Sequence, residues 1–183
     1  MELQTKRLIL RDWQENDAES LYKYAQNPNI GPIAGWQPHT SIENSREIIK
    51  KVLSAGETYA IVLKQTGEAI GSIGLMTSKN EINTAEMAES EAEIGYWIGE
   101  PFWGQGLIPE AVCELLRYAF ENLGLTAVWC GYYDGNEKSK RVQEKCGFVY
   151  HHTEYNKPAP LMNDVRTAHY TKFLRKNWKN TSA

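Results

Sequence analysis

The stretch from Ala92 to Phe120, AEIGYWIGEPFWGQGLIPEAVCELLRYAF, changes character in its middle. A strand-like run containing Ile94, Tyr96, Trp97 and Ile98 gives way to the glycine turn WGQG at Trp103 to Gly106, and a helix follows at once. Pro109 suits a first helical turn, Glu110 sits near the positive end of the dipole, and Leu107, Ala111, Leu115 and Ala119 recur at i, i+4. Such a unit aims main-chain N–H groups at an anion, because first-turn donors have no partner within the helix. Gly104 and Gly106 let the chain come close to a ligand. The same spacing also closes βα connections that bind nothing. No GKS or GKT occurs, which excludes a P-loop, and Pro109 stands where a dinucleotide fingerprint needs its last glycine.

Working outward, 183 residues with 42% apolar and 23% charged side chains fit one ordinary domain, expected over residues 1–178 with a frayed tail at 179–183. A net charge of −3 provides no basic field for a nucleic-acid partner. The N-terminus MELQTKRLILRDW lacks a signal-peptide core, and no run approaches the roughly 20 apolar residues of a membrane span, so a cytoplasmic protein without a membrane partner is expected. The three cysteines, Cys113, Cys130 and Cys146, read as reduced and mostly buried thiols. No metal site is expected, since the adjacent His151 and His152 should point to opposite faces of a strand.

Along the chain, Leu3 to Trp13 reads as one strand, and Asp17 as the cap of a helix carrying Ala18, Leu21, Tyr22 and Ala25. Gly31 to His39 reads as a loop whose Trp36 and His39 either line a substrate pocket or anchor the loop. Thr40 and Glu43 have capping-box spacing before a helix with Ile42, Ile49, Val52 and Leu53 that Gly56 can end. Thr58 to Lys64 and Ala69 to Met76 form a hairpin through QTGE, and the polar stretch Ser78 to Ala92, with Glu81, Glu86, Glu89 and Glu91, is a loop. Thr126 to Tyr133 is a strand, Asn136 opens a short helix closed by Gly147, and Phe148 to His152 and Val165 to Leu174 are the last strands. The expected class is α+β: a mixed, mostly antiparallel sheet of about seven strands with helices on both faces.

Three separated signals then agree: the strand, glycine turn and helix from Glu93 to Leu116, a strand followed by NEKS at Asn136 to Ser139, and EKCGF at Glu144 to Phe148. Together they resemble the GNAT superfamily of acyl-CoA-dependent N-acetyltransferases, over nearly the whole chain. Within it, RLILR at Arg7 to Arg11, GYWIGEPFWGQG and the Asn-x-x-Ser spacing look most like the ribosomal-protein N-terminal acetyltransferase (RimJ/RimL) branch. The resemblance implies acetyl-CoA as co-substrate and an amine acceptor. Trp97 and Ile98 would offer main-chain groups to the pantetheine arm, where the central strand splays from its neighbour. Trp103, Gly104, Gln105, Gly106, Leu107 and Ile108 would form the pyrophosphate loop. Asn136 would bind pantetheine, or only cap its helix, and Ser139 would stand near the thioester sulfur, or be a first-turn serine. The chain departs from the family at Trp103 and Ile108, where Arg or Gln and Gly or Ala are usual, and at Gln143, where many members carry a tyrosine that protonates the thiolate. No Lys or Arg occurs from Asn80 to Leu116, so cations would come from the helix after Asn136, which offers Lys138, Lys140, Arg141 and Lys145 as ligands or as a solvated face. Of these, Lys140 is assigned to the cofactor.

Acetyl transfer needs a polarised thioester carbonyl, a neutral amine, proximity, and a proton for the thiolate. Glu93 is the candidate base, directly or through a water, unless it is simply solvated at a strand's start. It also stands with Trp36 and His39 as a candidate acceptor-binding residue. A weak base suffices for an α-amine, roughly a fifth neutral at pH 7.4, better than for lysine, about one in a thousand neutral. The eight glutamates from Asn80 to Leu116 would attract a cationic acceptor if several line the pocket mouth. Other readings are an acyl-CoA sensor without turnover and an acyl-enzyme on Cys130 or Cys146. Monomer and homodimer are both compatible with the sequence.

Overall fold

The structure, a computed structural model, describes residues 2–77, 83, 84 and 86–178. Glu81 and the tail expected at 179–183 lie outside the described residues. The strands are β1 (Glu2–Gln4), β2 (Leu8–Arg11), β3 (Glu57–Leu63), β4 (Ala69–Met76), β5 (Glu91–Ile98), β6 (Ala127–Tyr133), β7 (Val149–Ala159) and β8 (Asp164–Leu174). The helices are α1 (Ala18–Ala25), the single turn α2 (Gly31–Ala34), α3 (Ile42–Ile48), α4 (Leu107–Glu121), α5 (Glu137–Lys145) and the single turn α6 (Arg175–Trp178). One eight-stranded sheet runs β1-β2-β3-β4-β5-β6-β8-β7, antiparallel except where β5 meets β6.

Strand alternation divides the core between two faces. Leu8, Leu10, Ile61, Ile73, Ile94 and Val128 meet the apolar stripe of α4, Leu107 to Phe120, on one side. Ala60, Val62 and Ala69 meet Ala18, Leu21 and Ala25 of α1 on the other, with Ile49. Helices therefore cover both faces, as expected.

Several local expectations are corrected. The first strand is a hairpin, which raises the count to eight. Thr5 N–H donates to the Leu8 carbonyl at 3.0 Å and Thr5 Oγ1 accepts the Leu8 N–H at 2.9 Å, a tight turn made without Gly or Pro that sets Leu3 opposite Leu10. Asp17 does not cap α1 with its side chain; its carboxylate takes both Arg11 and the Gln14 N–H, closing a preceding 3-10 turn. The cap of α3 is Ser41, whose hydroxyl accepts the Asn44 N–H at 3.0 Å, not Thr40. That helix then widens into a π turn at Ile49–Leu53, leaving Val52 exposed. The segment read as a loop from Gly31 to His39 begins with the turn α2, ended by Gly35 at φ 92°. Finally, β7 bulges between Tyr150 and His152. The extra residue, His151, breaks the alternation, so the two imidazoles stand together with ring centroids 5.1 Å apart, not on opposite faces.

Candidate active site

At the start of α4, Gly104 (φ 75°) and Gly106 (φ 72°) both occupy the left-handed region. A Cβ at Gly104 would meet nothing within 4 Å, and one at Gly106 only an Arg7 nitrogen at 3.8 Å, so the turn is an open cradle. In the first turn of α4, Pro109 has no N–H and the Glu110 N–H donates to the Gly106 carbonyl at 3.3 Å, so the donors that face outward are the N–H groups of Leu107 and Ile108. The side chains of Leu107 and Ile108 are buried in the core, which leaves them only main-chain groups to offer. Two cations stand at this turn. Lys138 Nζ lies 3.5 Å above the Trp103 ring, and Arg7 donates to the Gln105 carbonyl at 2.9 Å while bound to Glu110 Oε2 at 2.6 Å. Thr5 and Arg7 hold the Glu110 carboxyl below its usual range although burial works against them. Lys140, on the other side of α5, lines a separate cleft with Tyr132, Glu144 and Phe148, so Lys138 rather than Lys140 is the helix lysine at the turn. Arg7 was legible only as part of the RLILR motif; its partners lie about a hundred residues away in sequence.

Beside this turn the sheet opens. The parallel ladder of β5 with β6 covers Glu91↔Ala127, Ala92↔Val128 and Glu93↔Trp129 and stops. Gly99 N–H donates to the Ile70 carbonyl at 2.8 Å; by alternation the odd residues of β5 bond β4, and Tyr96 and Ile98, beyond the end of the ladder, aim their main-chain groups into the opening. Trp97 therefore spends its main chain on Ser72 of β4, contrary to its expected role. The Ile98 carbonyl already accepts the Trp103 indole N–H at 3.0 Å, leaving its N–H.

Side chains of α5 close the far edge of the opening. Asn136 caps α5, its Oδ1 accepting the Ser139 N–H at 3.2 Å. Ser139 Oγ lies 3.2 Å from the Tyr96 hydroxyl and accepts from Gln143 Nε2 at 3.1 Å. Gln143 is fully buried and also donates to the Gly131 carbonyl at 3.3 Å, just past the point where the ladder ends. Burial first, then Cys130, pushes the Tyr96 phenol well above its usual value, with Ser139 pulling the other way. A tyrosine hydroxyl thus reaches Ser139 from β5, although α5 carries Gln143 where the resemblance leads to the expectation of a tyrosine. Sequence reading missed it because Tyr96 looks like any apolar strand residue. Asn136→Ala should cost about 1 kcal/mol of stability through the lost cap and, with acetyl-CoA as the expected co-substrate, raise its KM. Ser139→Ala should lower kcat more than it raises KM. Steady-state kinetics with thermal melts separate the two, and purely stability-linked losses in both would leave this helix start a structural feature only.

Glu93 is three residues from Tyr96 and so faces the opposite side of the sheet. Its side chain is buried, 6% exposed, and accepts from Asn83 Nδ2 and the Thr84 N–H, each at 3.2 Å. Burial raises its carboxyl to about 7, against those hydrogen bonds and Lys157. It is therefore not a solvated strand-end charge but a buried carboxyl that holds its proton well above the usual carboxylate range. Asn83 and Thr84 lay unseen within the polar stretch. Trp97 points to the same face and packs on Trp36 at 5.7 Å, while a cleft of about 320 Å³ between Ile33, Tyr133, Asp134 and Arg166 opens nearby. The charge on Glu93 helps to raise the Tyr133 hydroxyl, after burial. His39 is turned inward, its Nδ1 2.8 Å from Ser45 Oγ and its N–H on the Ala25 carbonyl. Burial lowers its pKa, and it anchors the loop instead of lining the cleft.

The glutamates of the 80–116 stretch do not share one mouth among the described residues: Glu91 pairs with Lys172, Glu100 with Asn27, Glu110 with Arg7 and Glu114 with Arg117. The cysteines are free, Cys113 being exposed. Burial pushes the Cys130 thiol up, and Cys113 followed by burial does the same to Cys146, which disfavours an acyl-enzyme on either. No helix among the described residues is long and apolar enough to cross a membrane.

The sequence profile of an acetyltransferase (GNAT) domain matches residues 7–149. YoaA of Bacillus subtilis, an uncharacterized N-acetyltransferase, is 30% identical over 151 residues, covering 80% of this chain and 81% of its own. The crystal structure of a GNAT-family acetyltransferase from Bacillus anthracis superposes with a TM-score of 0.82 at 20% identity, covering 96% of this chain and 99% of that one. A ribosomal-protein-S5-alanine acetyltransferase from Vibrio fischeri gives 0.71 at 19%, covering 97% and 98%. The matched span begins at the arginine that braces the glycine turn and ends beyond α5, taking in both edges of the opened sheet, and the chain belongs to the GNAT family of acetyltransferases.

Proposed function

We propose that this chain moves an acetyl group from acetyl-CoA directly to a primary amine, a protein N-terminus or a small-molecule amine, as the likeness of its motifs to the RimJ/RimL branch suggests. The observation that carries the reading is Glu93: a buried carboxyl raised to about 7, on one face of a sheet that opens next to it, with Ser139 and Tyr96 on the other face. Acetyl-CoA supplies the thioester that the amine attacks. Gly104, Gln105, Gly106 and the first turn of α4 hold its diphosphate with main-chain N–H groups, and Lys138 and Arg7 add positive charge beside them. The main-chain groups of Tyr96 and Ile98 face the pantetheine arm, and Asn136 bounds its path. Glu93 takes the amine proton, and Ser139, held by Gln143 and Tyr96, stands where the departing thiolate needs one.

The acceptor approaches from the Glu93 face, past Trp36 and the cleft at Tyr133. With a base near 7, kcat/KM should rise with pH and level off above an apparent pKa of about 7, provided the acceptor is itself partly neutral there. The test is release of free CoA with N-terminal peptides, polyamines, amino acids and aminoglycosides as acceptors. Tight acetyl-CoA binding without CoA release on any of them would make the chain a sensor.

A further inference from the structure

The bulge in β7 assembles groups that acetyl transfer does not use. His151 Nδ1 and His152 Nδ1 are 2.9 Å apart, and Glu86 Oε2 lies 3.5 Å from His151 Nδ1. One ligand atom from each of the three residues falls within 4.8 Å of the other two. The rings are not loose. His152 stacks on Tyr170 with centroids 5.2 Å apart, and the Trp129 indole packs edgewise on His151 at 4.7 Å.

The far nitrogen of His152 is also fixed. Its Nε2 lies 3.1 Å from Thr84 Oγ1 and 3.3 Å from Glu154 Oε1, and Lys157 secures the other Glu154 oxygen at 2.7 Å. Thr84 Oγ1 gives its own proton to Glu154 at 2.8 Å, so it can accept the Nε2–H of His152. With the proton on Nε2, the lone pair of His152 is on Nδ1 and faces His151. A carboxylate behind the far nitrogen is how metal-binding histidines are oriented and made more basic. The 2.9 Å spacing of the two Nδ1 atoms fits a cation as well as it fits an N–H···N bond. Nitrogens at about 2.05 Å from one ion are about 2.9 Å apart at the right angles of square-planar or octahedral Ni²⁺ or Cu²⁺, and about 3.3 Å apart at a tetrahedral Zn²⁺, which a small turn of the exposed His151 ring supplies.

We propose that Glu86, His151 and His152 bind one divalent transition-metal ion of the imidazole-preferring kind, Zn²⁺, Ni²⁺ or Cu²⁺, with two ring nitrogens, one carboxylate oxygen and water in the remaining positions. Imidazole ligands exclude a preference for Mg²⁺ or Ca²⁺. The ion would tie Glu86, and with it the segment carrying Asn83 and Thr84, to β7. Those two residues are the hydrogen-bond partners of Glu93, yet the binding itself is independent of any role for that carboxylate.

The test uses untagged full-length protein stripped with a chelator and titrated with ZnCl₂, NiCl₂ and MgCl₂ by calorimetry and thermal melting at pH 7.5. Expected are one Zn²⁺ or Ni²⁺ per chain, a raised Tm with either, no response to Mg²⁺, and affinity at least tenfold weaker in both His151→Ala and Glu86→Ala. Both side chains are substantially exposed, 40% and 54%, so both variants should fold. Absence of binding in the parent, or titrations in both variants that match the parent, would overturn the proposal; the latter would place the ion elsewhere. Acetyl transfer is not read in this experiment, so its outcome is separate from that of the proposed function.

Discussion

Glu93→Gln should lower turnover about a hundredfold, the low end for loss of a general base, with acetyl-CoA binding nearly unchanged. Gln keeps the shape of the side chain and an oxygen for the Asn83 and Thr84 donors, but it cannot take a proton. Raising the pH should rescue the variant more than the parent, because the neutral amine fraction grows tenfold per pH unit below its pKa, and most for acceptors of high pKa.

The same substitution has an opposite effect on stability. Glu93 is an acid whose folded pKa is raised, so the folded chain holds a proton that the unfolded chain has already lost between the ordinary value of 4.5 and about 7. Stability is therefore lost as pH rises through that window, by about 3 kcal/mol at most for a shift of this size. The neutral Gln avoids that loss. Melts from pH 4 to 8 should show the variant gaining on the parent as pH rises, and a flat difference together with normal kcat would remove Glu93 from both accounts.

Gly106→Glu should abolish the thermal stabilisation by acetyl-CoA. At a hundredfold excess over Kd that stabilisation is worth about 2.7 kcal/mol, or about 5–10 °C in a chain of this size. The added Cβ meets only an Arg7 nitrogen at 3.8 Å, so the turn accepts a side chain there at a backbone cost of about 1–2 kcal/mol. Its carboxylate then occupies and repels at the place where first-turn N–H groups gather an anion. Gly67→Glu is the matched control: Gly67 also has φ 72°, has open space around it, and lies in the hairpin between β3 and β4. Differential scanning fluorimetry with and without acetyl-CoA reads both. A full shift in folded Gly106→Glu would move the diphosphate away from this turn.

What could be read in the sequence was whatever is encoded locally. The β5 strand, the glycine turn and α4 depend on alternation, φ preference and periodicity within one stretch, and each is found where expected. The cap at Asn136 and the closing Gly147 are likewise local. Asp17 misled because an Asp before a helix is a good cap, and only the neighbouring Arg11 and Gln14 reveal where its carboxylate goes. The Thr5 turn misled because its hydroxyl replaces the glycine or proline usually demanded. The histidine pair misled because a bulge is one residue of register, set by the partner strand β8 and invisible in β7 alone. Glu93 stands out as a candidate by its position alone. Its burial, and so its chemistry, depends on Asn83, Thr84 and Lys157, which the fold brings in from elements before and after it. Tyr96 and Gln143 meet at Ser139 only because β5 and α5 face each other across the opening.

That opening also divides the load in the domain. Only three residue pairs join β5 to β6 along the ladder, so the strands β1 to β5 and the group β6, β8 and β7 are two plates with a short weld. The helix α4 braces them: its Ala111, Val112 and Leu115 lie in a core shared by Ile73 and Ile94 of one plate and Val128 and Phe173 of the other. The seam is thus a lightly paired line inside the sheet, spanned by α4 and by side-chain links such as Glu91 with Lys172 and Tyr96 with Ser139. A molecule lying in the seam would act as a second brace, so substrate affinity and the mechanical unity of the domain draw on the same few strand pairs that the chain has left unmade.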